Sequence, residues 1–194
     1  MKRRHFLMAG GGLVLTAGPA MAQFFPKTLI DRAIEARSMG DIAKDNEIVL
    51  KVNKVMAESK TASASTEIYE QRLLMTGMFD DKAKYDQFEK GVKAVPEIKK
   101  LYWHVTYMSK EEQEKRKAEL AGWSDVLALT TKAQGRLIGT AGVADVNFRV
   151  TGDSFRTLYI IGRARSKEEG DKAVARLKEG EGVKKVVSYI DVRA

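Results

Sequence analysis

Two hydrophobic rhythms alternate along the chain, one with a period of about 3.6 residues and one with a period of two. Ile48, Val52, Val55 and Met56 recur at helical spacing and predict a helix with one apolar face. Two β-prone runs follow, Ser65 to Tyr69 and Arg72 to Thr76, parted only by Glu70-Gln71, which predicts a tight hairpin. Gly77 is expected to end the second strand, where a bend needs a residue without Cβ. Asp80 or Asp81 can cap a helix whose apolar face is Tyr85, Phe88 and Val92. Leu101 to Met108 then alternates Leu101, Trp103, Val105 and Tyr107 against Tyr102, His104 and Thr106, the pattern of a closing strand.

The same order returns further on. Leu73-Leu74-Met75-Thr76-Gly77 aligns with Leu158-Tyr159-Ile160-Ile161-Gly162 at an offset of 85 residues, and Ile98-Lys99-Lys100-Leu101 with Val183-Lys184-Lys185-Val186. Upstream the offset falls to 81, pairing Ile48 with Leu129 and Val52 with Ala133, as a longer turn at Gly152-Asp153-Ser154 would require. In this second copy Ser124 is expected to cap a helix through Leu137, Phe148 and Val150 to open the sheet, and Arg156 to Arg163 to form the second strand. Ser166-Lys167-Glu168-Glu169 is a capping box that opens the next helix, Gly180 and Gly182 stop it, and Val183 to Val192 closes the sheet.

Like-directed strands joined through a helix need a crossover connection, so each sheet is expected to be mixed, with both helices on one face. The expected fold class is α+β: two tandem modules, each helix-strand-strand-helix-strand, at 41–108 and 122–194. Residues 109–121 read as a charged linker helix ending near Gly122. Ser109-Lys110-Glu111-Glu112 opens it as a capping box, and Glu111–Lys115 and Glu112–Arg116 stand at i,i+4. Each module, at about 65 residues, is close to the lower limit for a self-sufficient core, so mutual packing or a shared partner would help both.

Residues 1–22 read as an export signal. Lys2, Arg3 and Arg4 form a basic start, Phe6 to Ala17 an apolar run too short to span a membrane, and Ala20-Met21-Ala22 a cleavage site. Arg3-Arg4-His5-Phe6-Leu7 also fits a twin-arginine signal, with Lys2 where Ser or Thr is usual, so both export routes stay open. Cleavage after Ala22 would place the chain in the periplasm and leave an N-terminal segment, 23–40. Its Phe24-Phe25-Pro26, Leu29, Ile30, Ala33 and Ile34 form an amphipathic stretch suited to a membrane or a partner, or more simply to packing on a module.

Charge and composition narrow the chemistry. The chain has 194 residues, 34 Lys+Arg against 26 Asp+Glu, a formal charge of +8, two histidines and no cysteine. Losing Lys2, Arg3 and Arg4 leaves about +5 and a single histidine, His104. No cysteine and one histidine exclude disulfides and thiolate sites and argue against any bound metal or cofactor. Export puts nucleic acid on the other side of the membrane. Nowhere do a nucleophile, a base and an orienting group converge in the pattern, so the chain is not expected to be an enzyme. His104, in a strand between Trp103 and Val105, reads as structural.

Arg37-Ser38-Met39-Gly40, Asp45-Asn46-Glu47-Ile48 and Leu50-Lys51-Val52 resemble the opening of a BON domain, as does Asp125 through Leu129-Thr130-Thr131-Lys132 to Leu137 in the second copy. With Gly182-Val183-Lys184-Lys185-Val186 and the duplication, residues 37–194 resemble the two-BON envelope proteins of Gram-negative bacteria. Two features depart from that family: there is no acylated cysteine, and Pro96-Glu97-Ile98 stands where Gly-Val is favoured. The resemblance implies a non-enzymatic periplasmic protein that contacts anionic phospholipid surfaces and supports envelope integrity or stress tolerance. It also implies that the first helix of the second module makes the contact.

Charge points the same way. Residues 23–109 carry 14 basic and 13 acidic side chains, residues 110–194 carry 17 and 13, and Arg149, Arg156, Arg163 and Arg165 cluster about the second hairpin with only Asp153 nearby in sequence. Each basic residue at an anionic leaflet contributes about 1 kcal/mol, enough for reversible attraction. The candidate lipid-contact residues are therefore Trp123, Leu127, Lys132, Arg136, Arg163 and Arg165. Trp123 is suited to a headgroup region, though packing between module and linker is the simpler reading. The alternative function is a protein–protein adaptor docking on an envelope or secretion assembly without lipid contact.

Overall fold

The computed structural model describes residues 35–61 and 63–193. The expected export signal, residues 1–22, and the stretch from Phe24 to Ile34 lie outside the described residues. Ser38 caps α1 (Met39–Glu58) by accepting from the Asp41 N–H at 3.0 Å. The hairpin β1 (Ala64–Tyr69) and β2 (Arg72–Phe79) comes next. α2 (Lys82–Lys93), capped by Asp81, leads to β3 (Lys100–Tyr107). A six-residue helix, α3 (Lys110–Lys115), follows. The second copy is α4 (Trp123–Ile138), a 3-10 turn at Asp145–Asn147, β4 (Phe148–Gly152), β5 (Thr157–Ala164), α5 (Lys167–Lys178) and β6 (Lys185–Val192).

The molecule is α+β, with two three-stranded mixed sheets ordered β1-β2-β3 and β4-β5-β6. In each, the hairpin is antiparallel and the closing strand parallel to the centre. The repeat persists in register: Gly77 lies between Ala64 and Val105, and Gly162 between Phe148 and Ile190.

Alternation sorts side chains to two sides of each sheet. Leu73, Met75 and Phe79 join Ile48, Val52, Phe88 and Val92 beneath α1 and α2, whereas Phe148, Leu158 and Ile160 join Ala133, Leu137, Ala173 and Leu177 beneath α4 and α5. The opposite faces meet each other. Tyr69 and Leu74 of one sheet pack on Tyr159 and Ile161 of the other, with Tyr102, Val187 and Tyr189 at the margin. The four layers run helices, sheet, sheet, helices. Fully burying one such large apolar side chain contributes about 1.5–3 kcal/mol, so this third core joins the two modules.

Four expectations are corrected. Gly77 does not end its strand, which runs on to Phe79. A Cβ there would lie 2.4 Å from the Ser63 carbonyl oxygen, so the glycine answers close approach of the neighbouring strand. Ser124 does not cap α4: Gly122 is the N-cap, without a side-chain bond, and the helix starts at Trp123. The linker helix stops at Lys115, and Arg116 pairs with Glu119 beyond it, not with Glu112. Finally, the strand beginning in the Arg156 region starts at Thr157, because Arg156 has φ +61° and belongs to the turn.

Candidate interaction surface

Buried polar residues gather at the seam between the sheets and at the β1–β2 turn beside it. Glu70 and Gln71 both hold left-handed backbone, φ +53° and +62°, which costs a non-glycine residue about 1–2 kcal/mol. Asp45 on α1 offsets this. Its carboxylate accepts the N–H of Glu70 at 3.0 Å and of Gln71 at 2.6 Å, and takes the Arg37 guanidinium at 3.0 Å. Arg37 also holds Glu35, and Glu35 faces Arg149 at 3.8 Å. Burial lowers the Arg149 pKa below its ordinary value, and nearby Arg37 adds to the effect. The Asn147 side chain accepts from Ala36 N–H at 2.7 Å and from the Tyr69 hydroxyl at 3.2 Å, tying the segment before α1 into the second module.

Across the seam, Arg72 donates to the carbonyl oxygens of Gly162 and Tyr189 at 2.8 and 3.0 Å and lies 3.2 Å from Asp191. Thr76 and Thr151 share a hydroxyl hydrogen bond at 3.0 Å. At the β3–β6 side the rings of Tyr102 and Tyr189 stack at 3.8 Å, and His104 stacks on Tyr159 at 4.2 Å while sharing a 2.7 Å hydrogen bond with Tyr189. The histidine is thus a structural member of the seam.

Burial lowers the His104 pKa below the usual 6.5, with Asp153 opposing and Lys185 adding to the shift. The unfolded chain therefore binds this proton at higher pH than the folded chain. The stability involved is complete above the unfolded pKa and is lost as pH falls below about 6.5 toward the folded value. His104→Gln is expected to shrink the stability difference between about pH 7.5 and pH 5.5, read from urea midpoints at the two values. An unchanged difference would remove His104 from the acid response.

The six candidate residues do not form one surface. Trp123 and Leu127, both half-buried, lie one turn apart on α4, and Lys132 is exposed on the same helix. Arg136 turns toward the end of α5, where its guanidinium fills the space a side chain at Gly180 would need. Arg163 points into the seam, on the other side of its sheet from α4, 3.8 Å from Glu70. Arg165 grips Glu169 through two bonds of 3.0 and 3.1 Å at the start of α5. Burial raises the Glu169 pKa, but Arg165 and the Ala144 and Arg165 N–H groups outweigh it and hold the carboxyl below its ordinary value. Asp153 is therefore not the lone counter-charge for the hairpin arginines. Glu35, Glu70 and Glu169 serve them, and Asp153 instead holds its own turn, accepting from the Phe155 and Thr157 N–H groups.

Sequence reasoning raised mutual packing of the modules on size grounds but did not name the faces that form the seam, although a signal for them was present. Leu73-Leu74-Met75 and Leu158-Tyr159-Ile160-Ile161 are apolar at every position, the mark of strands covered on both faces.

Among the described residues no group of three or more His, Asp or Glu side chains could hold a metal ion, and no helix is long and apolar enough to cross a membrane.

No family model matches the chain. An uncharacterized protein in the gshII 5′ region of Anaplasma centrale is 27% identical over 150 residues, covering 77% of this chain and 95% of that protein. Among solved structures, CdsD of Chlamydia trachomatis, described as a structural protein of its type III secretion system, is 12% identical with a TM-score of 0.29, over 75% of this chain and 92% of that one. Its C-terminal domain gives the same identity and TM-score over 76% and 98%.

Proposed function

We propose that the chain is a non-enzymatic adaptor of the cell envelope, built from two BON-like modules, that docks on another envelope protein. The export-type start and the duplicated helix-strand-strand-helix-strand order support the setting. The observation that carries the choice of adaptor over lipid binder is the engagement of the arginines. Arg149, Arg163 and Arg165 face Glu35, Glu70 and Glu169 within the chain, so they do not stand as an uncompensated patch toward an anionic leaflet. α1 offers instead an exposed apolar contact among self-neutralised charges, and α4 a second apolar contact on the opposite outer layer. Leu50 on α1 is 69% exposed beside Lys51, which pairs with Glu47 at 2.8 Å and also with Glu97, and Ile138 on α4 is 65% exposed. An apolar contact among paired charges, as on α1, suits a protein partner better than an anionic headgroup layer.

The test combines two readouts. A photo-crosslinking residue at position 50 or 138 is expected to give one dominant protein adduct in cells. The purified chain is expected to sediment equally with neutral and anionic vesicles. Sedimentation that rises with anionic content, falls with salt and disappears in Lys132→Glu would replace this reading with the lipid-binding one.

A further inference from the structure

We infer that β6 is a self-pairing edge, and that it joins two copies of this chain into a dimer by antiparallel pairing about Ser188. β6 is hydrogen-bonded to β5 on one side and has no strand on the other among the described residues. Its eight residues run without proline, glycine or bulge, and none of them is fully buried. Exposed edges of this kind are usually blunted by a bulge, a proline or an inward charge. Here the charges lie only toward the ends, at Lys184 and Lys185 before the apolar run and at Asp191 and Arg193 after it.

The pattern of the strand selects both partner and register. Lys185, Val187, Tyr189 and Asp191 share one face of the sheet, while Val186, Ser188, Ile190 and Val192 share the other. Two copies pairing antiparallel in one continuous sheet must oppose residues of the same face, which restricts the register to steps of two. Centring the pair on Ser188 sets Lys185 opposite Asp191, Val186 opposite Ile190 and Val187 opposite Tyr189, each twice by symmetry. A step one way sets Lys185 against Arg193, a like-charge pair. A step the other way sets Lys185 against Tyr189 and leaves Asp191 without its lysine. Cross-strand opposite charges stabilise and like charges directly opposite destabilise, so one register is favoured over both neighbours. That self-complementarity identifies the occupant of the edge as a second copy. Asp191 keeps room for the contact, since it is about half exposed while facing Arg72 and Arg193.

The test uses the full chain, which has no native cysteine. Molar mass by sedimentation or light scattering, followed over about three decades of concentration upward from the micromolar range, is expected to rise from monomer to dimer. Lys185→Asp is expected to weaken the dimer about tenfold, Asp191→Lys likewise, and the doubly swapped variant to regain wild-type association. Lys185 carries this test because Asp191 also serves Arg72. Ser188→Cys supplies a register-specific readout. Directly opposed antiparallel residues have Cα atoms about 4.5–5.5 Å apart, within disulfide reach. Lys184→Cys thiols would stand about 27 Å apart in the same dimer. Mild oxidation is therefore expected to crosslink Ser188→Cys at least about tenfold faster than Lys184→Cys. A chain that stays monomeric throughout, or equal crosslinking at the two positions, would overturn the inference. The adaptor reading does not depend on it and would survive that result.

Discussion

Gly162→Ala is expected to destabilise the chain by about 3–5 kcal/mol, measured as the loss of unfolding free energy in urea. Gly162 lies in the middle strand between Phe148 and Ile190. A Cβ on it would lie 2.1 Å from the Asn147 carbonyl oxygen and 3.0 Å from the Phe148 Cα. Both obstacles are backbone, so no rotamer change relieves them, and the hairpin strands have to separate. The displacement would also spread. The Phe148 side chain is fully buried, the Asn147 side chain holds the Tyr69 hydroxyl of the other module, and Arg72 donates to the carbonyl oxygen of Gly162 itself. Gly77, at the equivalent place, meets the Ser63 carbonyl at 2.4 Å and the Ala64 Cα at 3.0 Å, and it also holds φ +157°. Gly77→Ala adds the strain of that conformation to the same kind of backbone clash and is therefore expected to cost as much, about 3–5 kcal/mol. Gly135→Ala is the internal control. Nothing lies within 4 Å of its Cβ position on α4, and removing an interior helix glycine is expected to stabilise by about 0.5–1 kcal/mol. If Gly162→Ala proves as harmless as Gly135→Ala, the close approach at the centre of the second sheet is not a constraint.

These paired glycines also mark how far the sequence could be read. The 85-residue offset is visible because it joins positions whose burial repeats. Leu73 and Leu158 lie under helices, Leu74 and Tyr159 lie in the seam, and both glycines sit beneath the start of a neighbouring strand. Periodicity encodes which face a residue belongs to, and that part of the fold was legible, including the mixed sheets. The reason for Gly77 was not legible, because a close approach from Ser63 is a distance between strands that spacing does not carry.

The same limit governs the charges. Arg149, Arg163 and Arg165 look unpaired along the chain, yet two of their partners, Glu35 and Glu70, lie about a hundred residues away and meet them only because the sheets stack. Glu169 is four residues from Arg165 and could have been paired with it from spacing alone. The start of α4 was misplaced for a local reason: Ser124 has the right chemistry for a cap, but Gly122 takes the extended backbone and the helix begins before the serine. The opposite omission occurred at α1, where Ser38 followed by Asp41 is a legible cap that simple apolar periodicity does not register.

The second large effect is expected at Asp45. Its carboxylate is buried and fully committed: one oxygen accepts the Gln71 N–H at 2.6 Å and the Gln71 side-chain amide at 3.1 Å, and the other accepts the Glu70 N–H and the Arg37 guanidinium, both at 3.0 Å. Asp45→Ala would leave a strained two-residue turn without its acceptor and a buried guanidinium with Glu35 as its remaining carboxylate. Breaking a buried ion pair by removing one partner costs about 3–5 kcal/mol, and the same range is expected here. Asp45→Asn keeps an acceptor oxygen and is expected to lose about half as much. The strain and ion-pair contributions can be separated at Gln71. Gly takes left-handed backbone without the steric cost a side chain carries, so Gln71→Gly should recover about 1 kcal/mol when introduced into Asp45→Ala. In the wild-type background the same change also removes the Gln71 amide bond to Asp45 and should recover less. The difference between the two backgrounds is a coupling energy between α1 and the β1–β2 turn. A coupling of zero would mean that the Gln71 side-chain amide adds nothing to the hold of Asp45 on the turn, leaving the two backbone N–H bonds and Arg37 to account for the loss in Asp45→Ala.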